Sequence, residues 1–142
     1  MKHLSAFIAI GFCIFSCAGT SKNPSPLTVV DSVDLQRYLG KWYEIARLDH
    51  RFERGLSEVT AEYSLRPDGQ VKVLNSGYSA SAGERKQAEG RAKFAGERDQ
   101  GYLKVSFFGP FFGSYVVFEL DPDYRYAFIA GNTTDYLWLL AR

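Results

Sequence analysis

The sequence predicts an all-β domain, eight antiparallel strands in an up-and-down meander closed into a barrel. From Trp42 onward apolar and polar residues alternate at period two, between Gly, Pro, Asp and Asn clusters that recur roughly every 8–15 residues. Nothing between neighbouring runs has the length or the 3.6-residue pattern of a crossover helix, so consecutive strands pair antiparallel. The 15% aromatic content and the 13 glycines suit half-buried strands joined by tight turns. Closure removes exposed sheet edges and leaves room inside for one small ligand. A two-sheet sandwich would alternate in the same way.

Ahead of the strands the chain reads as an address. Lys2 gives a positive start, and Leu4 to Phe15 form a mostly apolar run of about a dozen residues, short of the roughly twenty that span a membrane. The run ends in Ile14-Phe15-Ser16-Cys17, which resembles a bacterial lipobox. Residues 1–16 are therefore expected to be a removed signal peptide, with Cys17 acylated as the mature N-terminus. Ala18 follows where an inner-membrane retention signal would place Asp, which favours lipid anchoring in the bacterial outer membrane, facing the periplasm. Residues 17–30 hold Thr20, Ser21, Asn23, Pro24, Ser25 and Pro26, a tether composition, and the barrel is expected over 31–142.

The strands are expected at 42–48, 57–66, 70–78, 85–95, 102–108, 114–120, 124–130 and 135–142. In the second, Val59, Ala61, Tyr63 and Leu65 share a face opposite Glu58, Thr60, Glu62 and Ser64, and Pro67-Asp68-Gly69 then turns the chain. In the fourth, Arg85, Gln87, Glu89, Arg91 and Lys93 face out while Ala88, Gly90, Ala92 and Phe94 face in. In the fifth, Leu103, Val105 and Phe107 alternate with Lys104 and Ser106.

Net charge is +1 and falls to zero once Lys2 leaves with residues 1–16, so nucleic acid is not the partner. Both cysteines lie before residue 18 and the remaining histidine is His50, which leaves no zinc site, no cysteine nucleophile and no complete triad. No catalytic residue, metal or cofactor is assigned. Glu44, beside Trp42, reads as a hydrogen-bonded structural carboxylate.

Three blocks in order resemble the lipocalin family, specifically bacterial outer-membrane lipocalins related to apolipoprotein D. They are Gly40-Lys41-Trp42 continuing as Tyr43-Glu44-Ile45-Ala46-Arg47, Leu120-Asp121-Pro122-Asp123-Tyr124, and Asp135-Tyr136-Leu137-Trp138-Leu139-Leu140-Ala141-Arg142. Pro122 replaces the family's more usual Thr or Arg. With 50–55 and 105–111 the resemblance covers Val33 to Arg142. It implies a lipid-binding protein for storage, transport or envelope maintenance, holding a fatty acid or lysophospholipid. The family's C-terminal helix has no counterpart in this sequence, and the apolar outer face of Leu137, Leu139 and Ala141 reads as a surface for a cover.

A meander brings the three blocks to one closed pole, so Gly40, Trp42, Tyr124 and Arg142 are expected to close the barrel, with Arg142 over the Trp42 ring. The other pole is the mouth. If Arg142 faces the core, then Leu140, Trp138 and Tyr136 point inward too. The resemblance adds Phe112 to Trp138 as a ligand contact, and Val59, Ala61, Tyr63, Ala88, Ala92, Val105 and Phe107 should complete the wall. Arg51 and Arg54 are expected to meet an acidic headgroup, or else to pair with Glu53 or Glu58. Exposure of Phe111 would point to membrane contact or a homodimer. Two rivals remain, an envelope interaction protein using the aromatic loop 108–112 and a lysolipid-processing enzyme.

Overall fold

A computed structural model describes residues 22–97 and 99–142; the expected signal peptide and Cys17 lie outside the described residues. The domain is a closed barrel of β1 (Gly40–Arg47), β2 (Leu56–Leu65), β3 (Val71–Ser79), β4 (Glu84–Phe94), β5 (Tyr102–Phe108), β6 (Phe111–Leu120), β7 (Tyr126–Ala130) and β8 (Leu137–Ala141). Every neighbouring pair is antiparallel, and β8 returns to pair with β1, which sets the sandwich aside.

The seventh strand begins at Tyr126 rather than 124, because the preceding turn holds Tyr124 at φ 59°. Asp121 builds that turn, its carboxylate accepting from the Asp123 and Arg125 amides while its carbonyl accepts from Tyr124 N. One element is absent from the sequence reading. A single helical turn, α1 (Leu35–Tyr38), is capped by the Asp34 carboxylate, which accepts from Gln36 N at 3.0 Å.

This turn forms the floor. Trp42 is fully buried, and its Nε1 donates to Tyr38 O at 2.8 Å. The Arg142 guanidinium lies 4.4 Å from the Trp42 ring centroid, and its Nη2 donates to the carbonyls of Arg37, Tyr38 and Leu39, the open end of α1. Gly40 sits beside it at φ +100°, where a Cβ would come 3.3 Å from Arg142 Nη1. The Tyr124 hydroxyl accepts from Asp34 N at 2.7 Å, which ties the β6–β7 turn to the same plug.

Outside the barrel, Leu27 and Val29 pack on Tyr102, Val116 and Ala130 with Leu137 beside them. Val30 bonds through its backbone to Val117 and Gly101. Within the stretch expected as a tether, residues 27–30 are thus held to the wall. Farther round, Leu139 and Ala141 of β8 are half-buried between Phe128 and Tyr126 of β7 and the exposed Tyr43 and Ile45 of β1.

Candidate functional site

Opposite the floor the strands are joined by the mouth loops 48–55, 80–83, 109–110 and 131–136. Between floor and mouth lies a cavity of about 130 Å³. Its walls are mostly apolar: Val59, Ala61 and Tyr63 of β2, Val71 and Val73 of β3, Ala92 of β4, Leu103, Val105 and Phe107 of β5, Ile129 of β7, and Trp138 and Leu140 of β8. Gly90 lets the Phe107 ring approach, since a Cβ there would fall 2.6 Å from Ser106 O and 2.8 Å from Phe107 Cδ1.

The bottom of the cavity is a chain of phenols. Tyr115 shares hydrogen bonds with Tyr38 at 2.7 Å and Tyr63 at 2.9 Å. Burial pushes all three hydroxyls above the ordinary phenol range, so they stand neutral beneath the chain site.

The top is a polar network that a β-bulge makes. In an unbroken strand Glu44 and Arg47 would point to opposite faces. The register of β1 against β8 slips between Glu44 and Ala46, and both side chains turn inward to pair with each other. Arg47 Nη2 also donates to the carbonyls of Glu53 and Leu56, at 2.9 and 3.0 Å, tying the first mouth loop down. Glu53 reaches in from that loop and accepts from Trp138 Nε1 at 2.9 Å. His50 is buried, 3.1 Å through Nε2 from Glu53 and edge-on to Trp138. Burial holds Glu44 above the ordinary carboxylate range and His50 below its usual value, with Arg47 adding to the latter.

Of the residues expected at the ligand, Ala61, Tyr63, Val105, Phe107 and Trp138 are on the cavity wall and three are elsewhere. Phe112 is on the outer surface: Gly113 and Tyr115, opposite Val105 and Leu103, take the inward positions of β6, and Phe112 lies 4.8 Å below Lys93 Nζ and beside Arg91. Ala88 is exposed, because β4 pairs with β5 only from Arg91 onward and its upper half stands above the rim. Tyr136 belongs to a mouth loop, where it stacks on Trp138 and meets His50 and Phe52. Arg51 and Arg54 are exposed, Arg51 over the Phe52 ring and Arg54 on Asp49 at 2.9 Å. Neither pairs with Glu53 or Glu58, since Glu58 is taken by Arg85. The sequence reading missed Glu53 and Tyr115 on the cavity wall and Arg47 in the network that pairs with Glu44. Tyr115 had a signal, two positions from the inward Val117; Glu53 and Arg47 depend on a loop fold and a bulge that alternation does not encode.

The lipocalin-like domain family matches residues 33–142. The chain is 61% identical over 127 residues to the outer membrane lipoprotein Blc of Vibrio cholerae, covering 89% of this chain and 72% of that protein. It is 51% identical over 139 residues to the protein of the same name from Escherichia coli K12, covering 98% and 78%. Among solved structures, insecticyanin from the tobacco hornworm Manduca sexta superposes with a TM-score of 0.65 at 25% identity, covering 81% of this chain and 66% of that one.

Proposed function

The chain belongs to the lipocalin family, and from that premise we propose that it is a lipid-anchored protein of the bacterial outer membrane that carries one single-chain lipid, a fatty acid or lysophospholipid, in its barrel. Lipocalins are binding proteins, and the task proposed for this barrel is binding without turnover. Cys17 is the anchor of this reading, and envelope lipid storage, transport or maintenance is the role it serves. The observation that carries it is the cavity, lined mostly by apolar side chains, closed by phenols below and with its carboxylates on the mouth side. Burying ten methylenes is worth about 8 kcal/mol at roughly 0.8 kcal/mol each, before the cost of association. The phenol chain marks where the tail ends, and the network around Trp138 marks where the head begins.

A second reading has its own observation. Phe108 and Phe111, at the β5–β6 tip, are 76% and 77% exposed, which suits contact with a membrane or another protein. Mass spectrometry of protein extracted from its native envelope separates the readings. One single-chain lipid per protein supports the carrier. An empty barrel with a co-purifying protein favours the interaction module, and turnover of lysophospholipid that is lost in His50→Ala favours an enzyme.

A further inference from the structure

We propose that the β5–β6 hairpin is a membrane-docking element: Phe108 and Phe111 enter the acyl boundary of an anionic bilayer, Arg91, Lys93 and Lys104 bind its phosphates, and the barrel mouth is thereby set against the membrane. The proposal rests on the carrier reading for its purpose, since a docked mouth meets its lipid there. Its evidence comes from the outer surface alone.

The apolar part is the tip itself. Phe108 and Phe111 are the most exposed large apolar side chains among the described residues, and they flank the Gly109-Pro110 turn at the end of the hairpin. A second aromatic point stands on the same end of the barrel. Phe52, in the β1–β2 loop, is 62% exposed with the Arg51 guanidinium 4.9 Å from its ring centroid. The β1–β2 and β5–β6 connections lie four strands apart in a ring of eight, so the two points sit on opposite sides of the mouth. Contact at both fixes the direction in which the mouth faces.

The charges below the tip are unbalanced. Lys93 stands directly opposite Lys104 on the β4–β5 ladder, and Arg91 is two positions farther toward the tip, opposite Ser106. Arg91 and Lys93 both lie over the outward Phe112 ring, and Arg91 Nη2 reaches within 3.5 Å of where a Cβ on Gly109 would stand. Among the described residues none of the three bases has an acidic partner. Glu89, the acid nearest on β4, is held by Lys72, while Glu58 and Asp49 are held by Arg85 and Arg54. Like charges placed opposite each other on a ladder cost stability, and an anionic surface would offset that cost.

The layering favours a bilayer over a protein partner. At about 3.4 Å per residue, Arg91 lies roughly 7 Å and the Lys93–Lys104 pair roughly 13 Å below Phe108 along the strand. Apolar side chains of interfacial elements sink about 5–10 Å into the boundary between headgroups and acyl chains, with bases above them at the phosphates. Rings at the end and cations behind them reproduce that order.

The test puts a reporter at the tip. Phe111→Trp keeps an exposed apolar ring, and the full chain carrying it is mixed with vesicles of phosphatidylcholine brominated on its acyl chains, alone or with phosphatidylglycerol in equal parts. With phosphatidylglycerol present, the added tryptophan emission should be quenched and shifted to the blue, measured against the chain without the substitution. Arg91→Gln combined with Lys93→Gln should weaken that docking by on the order of tenfold, and about 1 M salt should weaken it too. An unquenched tip on the anionic vesicles overturns the proposal, whether or not the tip then cross-links to an envelope protein. Quenching equally strong on phosphatidylcholine alone, or unmoved by both the double variant and salt, overturns it as well. Dodecanoate titration of the same folded variants keeps the two readings apart. Binding retained with an unquenched tip leaves the carrier and removes the dock; a quenched tip without binding does the reverse.

Discussion

The two ends of the barrel are built on opposite rules. At the floor, polar groups find partners inside the fold: Trp42 Nε1 reaches Tyr38 O, Arg142 caps α1, Tyr124 OH takes Asp34 N, and Asp121 is satisfied by Arg125. Of the buried side-chain groups without a partner, Arg47 Nε and both His50 nitrogens lie at the mouth, Asn75 Oδ1 and Ser106 Oγ on wall strands, and Gln70 Oε1 alone in the β2–β3 turn at the floor end. The plug around Trp42 has its polar groups paired, and the network around His50 does not. Buried polar groups left incomplete cost stability, so they are tolerated where something else completes them, and that is how a ligand site differs from a structural plug.

If that contrast holds, substitutions at the floor change stability and leave ligand selectivity alone, while those at the mouth do the converse. The largest expected effect is Trp42→Ala, which empties a fully buried site and removes the ring beneath Arg142. It should cost about 3–5 kcal/mol, read by urea unfolding, and lower the melting temperature by on the order of 10 °C. A loss below about 1 kcal/mol would mean that the plug is not what closes the barrel. Next comes Trp138→Ala, which removes part of the cavity wall and the donor to Glu53. It should weaken binding of a fluorescent fatty acid about tenfold, with unfolding free energy changed much less than by Trp42→Ala. Unchanged affinity would take Trp138 out of the site.

The smallest effect sharpens the floor side of the contrast through pH. Hydrogen bonds from Arg125 hold the Asp121 carboxyl well below its ordinary value of 3.8. A depressed folded-state pKa adds stability above the unfolded value and loses it as the pH falls. The melting temperature of Asp121→Asn should therefore lie below that of the native chain at pH 7, with the gap closing below about pH 4. A gap that is constant from pH 7 to pH 3 would show that the carboxylate charge contributes nothing there.

How far the sequence reached follows the same division. Alternation in β2 placed Val59, Ala61 and Tyr63 inside, and counting back from Arg142 put Leu140 and Trp138 on the inner face, because side-chain direction in a continuous strand is fixed by period two. The family blocks converge at the floor for the same reason. What was not legible sits where the strands are interrupted. The bulge after Glu44 turns Arg47 inward, and the one-turn α1 is too short to leave a periodic signature. Phe112, taken from the resemblance rather than from alternation, falls on the outward set. Charge partners were the least legible, since Arg54 found Asp49 inside its own loop while Glu53 went to Trp138.

The central claim is that the interior of the barrel, and no surface patch, holds the alkyl chain. Ala61 lines the cavity and is 8% exposed, so Ala61→Phe fills the space with ring atoms while leaving the exterior as it is. Overpacking should cost about 1–3 kcal/mol and leave the chain folded by circular dichroism. Titrated with dodecanoate by calorimetry, the native chain should take up one equivalent and Ala61→Phe none. One equivalent bound with unchanged affinity in folded Ala61→Phe would contradict the account.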